Sequence, residues 1–159
     1  SLYQSDTSWA DVPYGQATLA STGAAPVALA MAYVAATGDT TYTPVEFAQW
    51  ATDHDLTAAG VDTIGAFLQQ GGTAFGLAVD PMIVDDRTLR HAIVSNVPVL
   101  VVTQPGTFAP AASVVVLDDI DKDSRIVLHD PTSESRSAKG WAFDDITDAA
   151  ALAFTVHEV

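Results

Sequence analysis

The chain carries hydroxyl, carboxylate and imidazole groups that could do chemistry, and no thiol. It has no cysteine, which excludes disulfides, thiolate metal sites and a thiol nucleophile. Hydroxyls that could serve as a nucleophile include Ser21, Thr22 and Ser113, and each would need an adjacent base. The histidines are His54, His91, His129 and His157. His129 precedes Asp130 at the end of a strand, and strand alternation sends those two side chains to opposite faces. Asp119, Asp121 and Asp123 fall at the first, third and fifth positions of a calcium loop, with Asp130 at the twelfth. Ser124 stands where such a loop turns on glycine, Asp130 is too short for the usual bidentate reach, and strands flank the segment. A polar hairpin turn is the expected structure, and no metal or cofactor is expected.

The element that positions any site is Ser21-Thr22-Gly23-Ala24-Ala25-Pro26 and the apolar run that follows, Val27 to Thr37. It reads as a glycine turn entering a buried helix, with Pro26 in the first turn and Gly38 as the stop. A helix N-terminus favours negative charge and is a place to hold a reactive group. Here it carries Ala24 and Ala25, which do no chemistry. Upstream, residues 1–20 lack periodicity and read as an extended arm anchored by aromatics. Downstream, Thr43-Pro44-Val45-Glu46 is a capping box opening a second helix. A third helix is expected over Thr63 to Gln70, ended by Gly71-Gly72. Leu77 to Val79 is expected to be extended, and Asp85-Asp86 to open a fourth helix. The pattern then changes to strands: Pro98 to Thr103, Val114 to Leu117, Arg125 to His129 and Ala153 to Val159. Helices first and strands second predict an α+β fold on a mainly antiparallel sheet.

Twenty acids face six bases, a net charge of −14. Such a surface repels nucleic acid and anionic membranes and favours basic or neutral partners. No apolar run reaches the roughly 20 residues that a helical membrane crossing needs. The chain of 159 residues, 48% of them hydrophobic, suits one domain over residues 1–159. It starts at Ser1, as expected of a piece of a longer protein.

Several of these motifs together resemble one family. The arm Gln4-x-x-x-x-Trp9-Ala10-Asp11-x-Pro13-Tyr14-Gly15, the turn Ser21 to Pro26 and the helix ending in Thr37-Gly38 are similar to papain-like cysteine peptidases of the bacteriocin-processing, double-glycine-leader type. They look most like the stand-alone and surface-attached relatives found in Gram-positive bacteria. The similarity continues in order through Tyr42-Thr43-Pro44-Val45-Glu46, Gly76-Leu77, Pro98-Val99, Val115-Val116-Leu117 and Asp130-Pro131. The resemblance implies a papain-like fold with N-terminal helices packed on the sheet, and an extracellular or cell-surface location.

It also implies a site. The family holds a cysteine thiolate at the central helix start, with a histidine as base, an acid to orient the histidine and a glutamine for the oxyanion. The family turn Gly-Cys-Gly-Pro is here Gly23-Ala24-Ala25-Pro26, so Ala24 stands for the nucleophile. The family Gly-His before a hydrophobic strand is here Ala112-Ser113, so Ser113 stands for the base. Asp130 matches the orienting acid, and either Gln4 or Gln16 matches the glutamine. The resemblance therefore implies an inactive homologue, a pseudo-peptidase that binds a peptide or protein partner around Gly23, Ala24, Ser113, Asp130 and Trp141. Two alternatives stand beside it. One is a structural or adhesive surface module, whose alanines (Ala24, Ala25, Ala111, Ala112) would close the cleft. The other is a hydrolase using a non-standard serine site.

Overall fold

A computed structural model describes residues 1–159. The arm folds into a two-residue strand pair, β1 (Pro13–Tyr14) and β2 (Ala17–Thr18), around Gly15 at φ 62°. One helical turn, α1 (Leu19–Thr22), leads to α2 (Ala24–Thr37), α3 (Pro44–Asp53) and α4 (Val61–Ala74). Then come β3 (Leu77–Pro81), α5 (Asp86–Val94), β4 (Val99–Thr103), β5 (Ser113–Ile120) and β6 (Ile126–His129). The chain closes with α6 (Glu134–Ser137), β7 (Gly140–Trp141), α7 (Phe143–Ala149) and β8 (Ala150–Glu158). The larger sheet has the order β3-β8-β4-β5-β6-β7 with every pairing antiparallel. The fold is α+β, as the sequence pattern predicts.

The sheet is covered on both faces, which explains the uninterrupted apolar run in β4. Leu100 and Val102 point into a core formed with α2, α3 and α4. Val99 and Val101 point into a second core formed with α5 and α7. A strand buried on both faces has no polar positions to alternate with apolar ones. Helix α2 is enclosed in a similar way: every residue from Ala25 to Tyr33 is buried. It stops at Gly38, in the left-handed region at φ 73°, whose N–H bonds Val34. The Thr43–Glu46 capping box forms, with the Thr43 N–H donating to Glu46 Oε2 at 2.8 Å. Asp85 caps α5 through the Thr88 N–H at 2.8 Å.

Two expectations need revision. The arm holds a paired strand hairpin and ends in a helical turn, where the sequence suggests an extended arm with turns. Helix α4 also runs four residues past Gln70, to Ala74, with Gly71-Gly72 inside it. Glycine here is a packing device rather than a stop. A Cβ on Gly72 would lie 2.4 Å from Val79 Cγ2, and one on Gly65 would lie 2.8 Å from Leu152 Cδ1. These two positions, seven residues apart, lie on one helix face and let α4 approach β3 and β8 closely.

This contact sets a prediction. Gly72→Ala gains about 1 kcal/mol of helix propensity but forces a methyl into the stiff Val79 side chain, an overpacking that costs about 1–3 kcal/mol. A lower melting temperature is expected for Gly72→Ala and none for Thr73→Ala on the exposed side of the same turn. A rise in both would mean that the close approach is not limiting.

Candidate functional site

At one end of the sheet the two layers part and leave a cleft of about 610 Å³. Its lining includes Gln4 from the arm, Ala24 and Ala25 from the start of α2, and Ser113 from the start of β5. Thr132 and Arg136 line it beyond β6, and the loops Thr57–Ala59 and Gly106–Ala112 complete the rim. Residues of both cores contribute, Ala25 and Ile64 from one and Phe108 from the other, so the cleft straddles the sheet end.

Local folding rules place each part. Gly23 continues the helical path of α1, its N–H bonding the Leu19 carbonyl at 2.9 Å. A Cβ there would meet Leu19 Cδ2 at 2.6 Å, so glycine is required by close approach, and α2 begins directly after it. Gly23 itself is buried beside the cleft. Ser113 opens β5 opposite Thr103 and is only 3% exposed. Its hydroxyl has no hydrogen-bond partner. Gln4 is held by its own N–H to the Pro131 carbonyl at 3.0 Å. Its side chain donates to the Ala20 carbonyl at 2.7 Å, and its Oε1 is buried without a partner. The structure thus separates the two glutamines: Gln4 lines the cleft, and Gln16 is exposed in the turn between β1 and β2.

Asp130 lies behind the cleft wall and is fully buried. Its Oδ1 accepts the Thr132 N–H at 2.8 Å and the Thr132 hydroxyl at 2.6 Å. Its Oδ2 accepts Arg136 Nε at 2.7 Å. The carboxylate is therefore fully engaged within its own loop. Arg136 is the participant that sequence reasoning missed. It sits six residues beyond Asp130 on α6, whose Ser133 cap accepts the Arg136 N–H. The only signal was the first of two cations, Arg136 and Lys139, in the polar loop after Asp130.

The other expected positions fall outside the cleft lining. Trp141 is 6% exposed in the second core, its ring tilted against Phe108 at 4.9 Å between centroids, with its indole N–H donating to the Arg136 carbonyl. It supports the cleft wall from behind. His129 faces away from Asp130, as alternation requires: its Nε2 is 3.0 Å from Asp118 Oδ1, and its Nδ1 contacts the Ser1 hydroxyl beside α2. Asp119, Asp121 and Asp123 do not converge on a cation position. Asp121 accepts the N–H groups of Asp123 and Arg125 and shapes a hairpin turn, with Ser124 at φ 59°.

No histidine and no carboxylate lines the cleft. Tyr14 does line it, but burial pushes its phenol up to about 12, so it stays protonated. It can donate a hydrogen bond and cannot act as a base near neutral pH. The arrangement offers hydrogen-bond donors, one guanidinium and small apolar walls. No protein-family model, curated protein or solved structure matches the chain.

The Asp130–Arg136 pair gives a second prediction. Removing one partner of a buried pair strands the other, at a cost of about 3 kcal/mol. Arg136→Ala is expected to lower urea-unfolding stability by about that amount. The double variant Asp130→Asn/Arg136→Gln is expected to recover more than half, because no buried charge remains. Equal losses in both variants would assign the cost to packing.

Proposed function

We propose that the protein is a catalytically inactive, papain-like peptidase homologue whose cleft docks an extended peptide or a partner's peptide segment. One observation carries the reading: Gln4, Ala24 and Ser113, far apart in sequence, line one cleft, and Asp130 stands directly behind its Thr132–Arg136 wall. These are the positions at which the family resemblance requires oxyanion glutamine, nucleophile, base and orienting acid. The chemistry at each has been replaced. Ala24 brings no nucleophile, Ser113 has no base beside it, and the Asp130 oxygens are taken by Thr132 and Arg136 instead of an imidazole. A hydroxyl without a base is a poor nucleophile, which counts against a serine hydrolase at Ser113.

The openness of the cleft favours docking over a purely structural or adhesive role. A structural module would gain from filling the old site. Ala24, Ala25, Ala111 and Ala112 instead line its walls and leave about 610 Å³ between them, within the usual range for ligand pockets. Docking of a cell-surface or secreted partner fits the family resemblance.

Two experiments test the reading. Titrating the isotopically labelled protein with a pool of extended decapeptides is expected to shift amides at Ala24, Ser113 and the Thr57–Ala59 and Gly106–Ala112 rims. Ala24→Trp should abolish those shifts, and shifts that persist in that variant would place binding elsewhere. The homology itself is tested by restoring the lost pair. In Ala24→Cys/Ser113→His the new thiol should be alkylated by iodoacetamide at least ten-fold faster at neutral pH than in Ala24→Cys alone, because a neighbouring imidazole favours the thiolate. Equal rates would mean that the two positions do not meet as nucleophile and base.

A further inference from the structure

We propose that the ligand docks through a carboxylate held by Arg136. The inference rests on the peptide-docking reading and narrows it. The chain holds twenty acids against six bases, yet none of the acids lines the cleft, and Arg136 is the only charged residue that does. A surface that repels anions therefore encloses a pocket whose single charge is a cation.

The guanidinium is fixed in place. Its Nε is held by Asp130 at 2.7 Å and its Nη2 by Thr132 Oγ1 at 2.8 Å. Arginine has five N–H donors, and these two contacts leave Nη1 with no protein partner while the side chain is 29% exposed. A planar fork with one edge anchored presents its other edge to an incoming carboxylate, the geometry that arginine recognises best. Asp130 thereby acts as a positioning residue: it orients the fork and does not itself meet the ligand.

Two further observations point to a ligand at the same place. Ser113, 3% exposed, has a hydroxyl with no partner, and Gln4, 9% exposed, has an amide oxygen with no partner. Buried polar atoms in folded proteins are nearly always satisfied. Both residues line the cleft with Arg136, and a side-chain rotation on binding would let each atom, sealed from solvent in the free protein, pair with the carboxylate or the peptide N–H next to it. The charge balance ranks a monoanion above a dianion. Asp130 already offsets Arg136, so a carboxylate adds one uncompensated charge, and a dianionic phosphate two, to a chain that is already at −14. The carboxylate can come from a peptide C-terminus or from an acidic side chain.

The test uses three peptides suited to alanine walls: N-acetyl-trialanine as the free acid, the same peptide as the C-terminal amide, and amidated acetyl-Ala-Glu-Ala. Each is titrated into the intact labelled chain while the Arg136 Nε–H and the Ala24 and Ser113 amides are followed. The free acid is expected to bind at least ten-fold more tightly than its amide and to shift the Arg136 Nε–H. Binding of the glutamate peptide comparable to the free acid would assign the carboxylate to a side chain, and weak binding would assign it to a chain end. Arg136→Lys, which keeps the charge and loses the fork, should weaken the preferred peptide at least five-fold. The neutral double variant Asp130→Asn/Arg136→Gln should abolish the preference for an acid, with a circular-dichroism spectrum showing that it is folded. Equal binding of acid and amide would overturn the carboxylate inference and leave peptide docking standing. No shift with any peptide would overturn both.

Discussion

A carboxylate sealed from water must find all its partners inside the protein, and around Asp130 this requirement organises a whole region. Its two oxygens are satisfied by Thr132 and Arg136, and its own N–H is bonded by the Ser137 hydroxyl at 2.9 Å. The segment from Pro131 to Ser137 must therefore curl back over the end of β6. That curl carries the Pro131 carbonyl to the Gln4 N–H, which ties the arm to the far end of the chain. It also turns the Arg136 carbonyl toward the indole of Trp141. One unexposed acid thus links the arm, the sheet end and the second core. Charged groups are rarely buried this completely unless they are paired.

Much of the frame was legible in the sequence because it depends on local chemistry. A capping box at Thr43–Glu46, a left-handed glycine at Gly38 and an aspartate cap at Asp85 satisfy helix ends with groups only a few residues away. The apolar β4 run was legible for a related reason, since burial on both faces leaves no alternation. What could not be read locally depends on distant contacts. Gly72 looks like a stop unless Val79 is known to lie against it. Arg136 looks like one more surface cation unless α6 is known to bring it over Asp130. The acidic turn fits a calcium pattern by spacing alone, but Asp121 turns its carboxylate to its own backbone.

The expected site positions meet only in part. Ala24, Ser113 and one of Gln4 and Gln16 were expected near one another; Ala24, Ser113 and Gln4 line one cleft, while Asp130 stands behind its wall and Trp141 lies in the second core. The expectation that a strongly acidic chain favours basic or neutral partners came from a sum of charges over the whole sequence. A sum says nothing about where the charges lie, and here the acids are absent from the cleft walls. The choice between Gln4 and Gln16 likewise depended on the path of the arm.

The sheet order has a consequence for biosynthesis. Strand β8, the last element in the sequence, lies between β3 and β4, which precede it by many residues. As the chain leaves the ribosome, β3 and β4 have no partner in each other and must wait for the final segment to fill the gap. Until then neither edge of β3 is paired, and in the finished sheet it remains the outer strand. The cleft is also late, because its walls draw on Gln4 and on Arg136. The six-stranded sheet therefore closes only once β8 has been made, with β8 as the keystone.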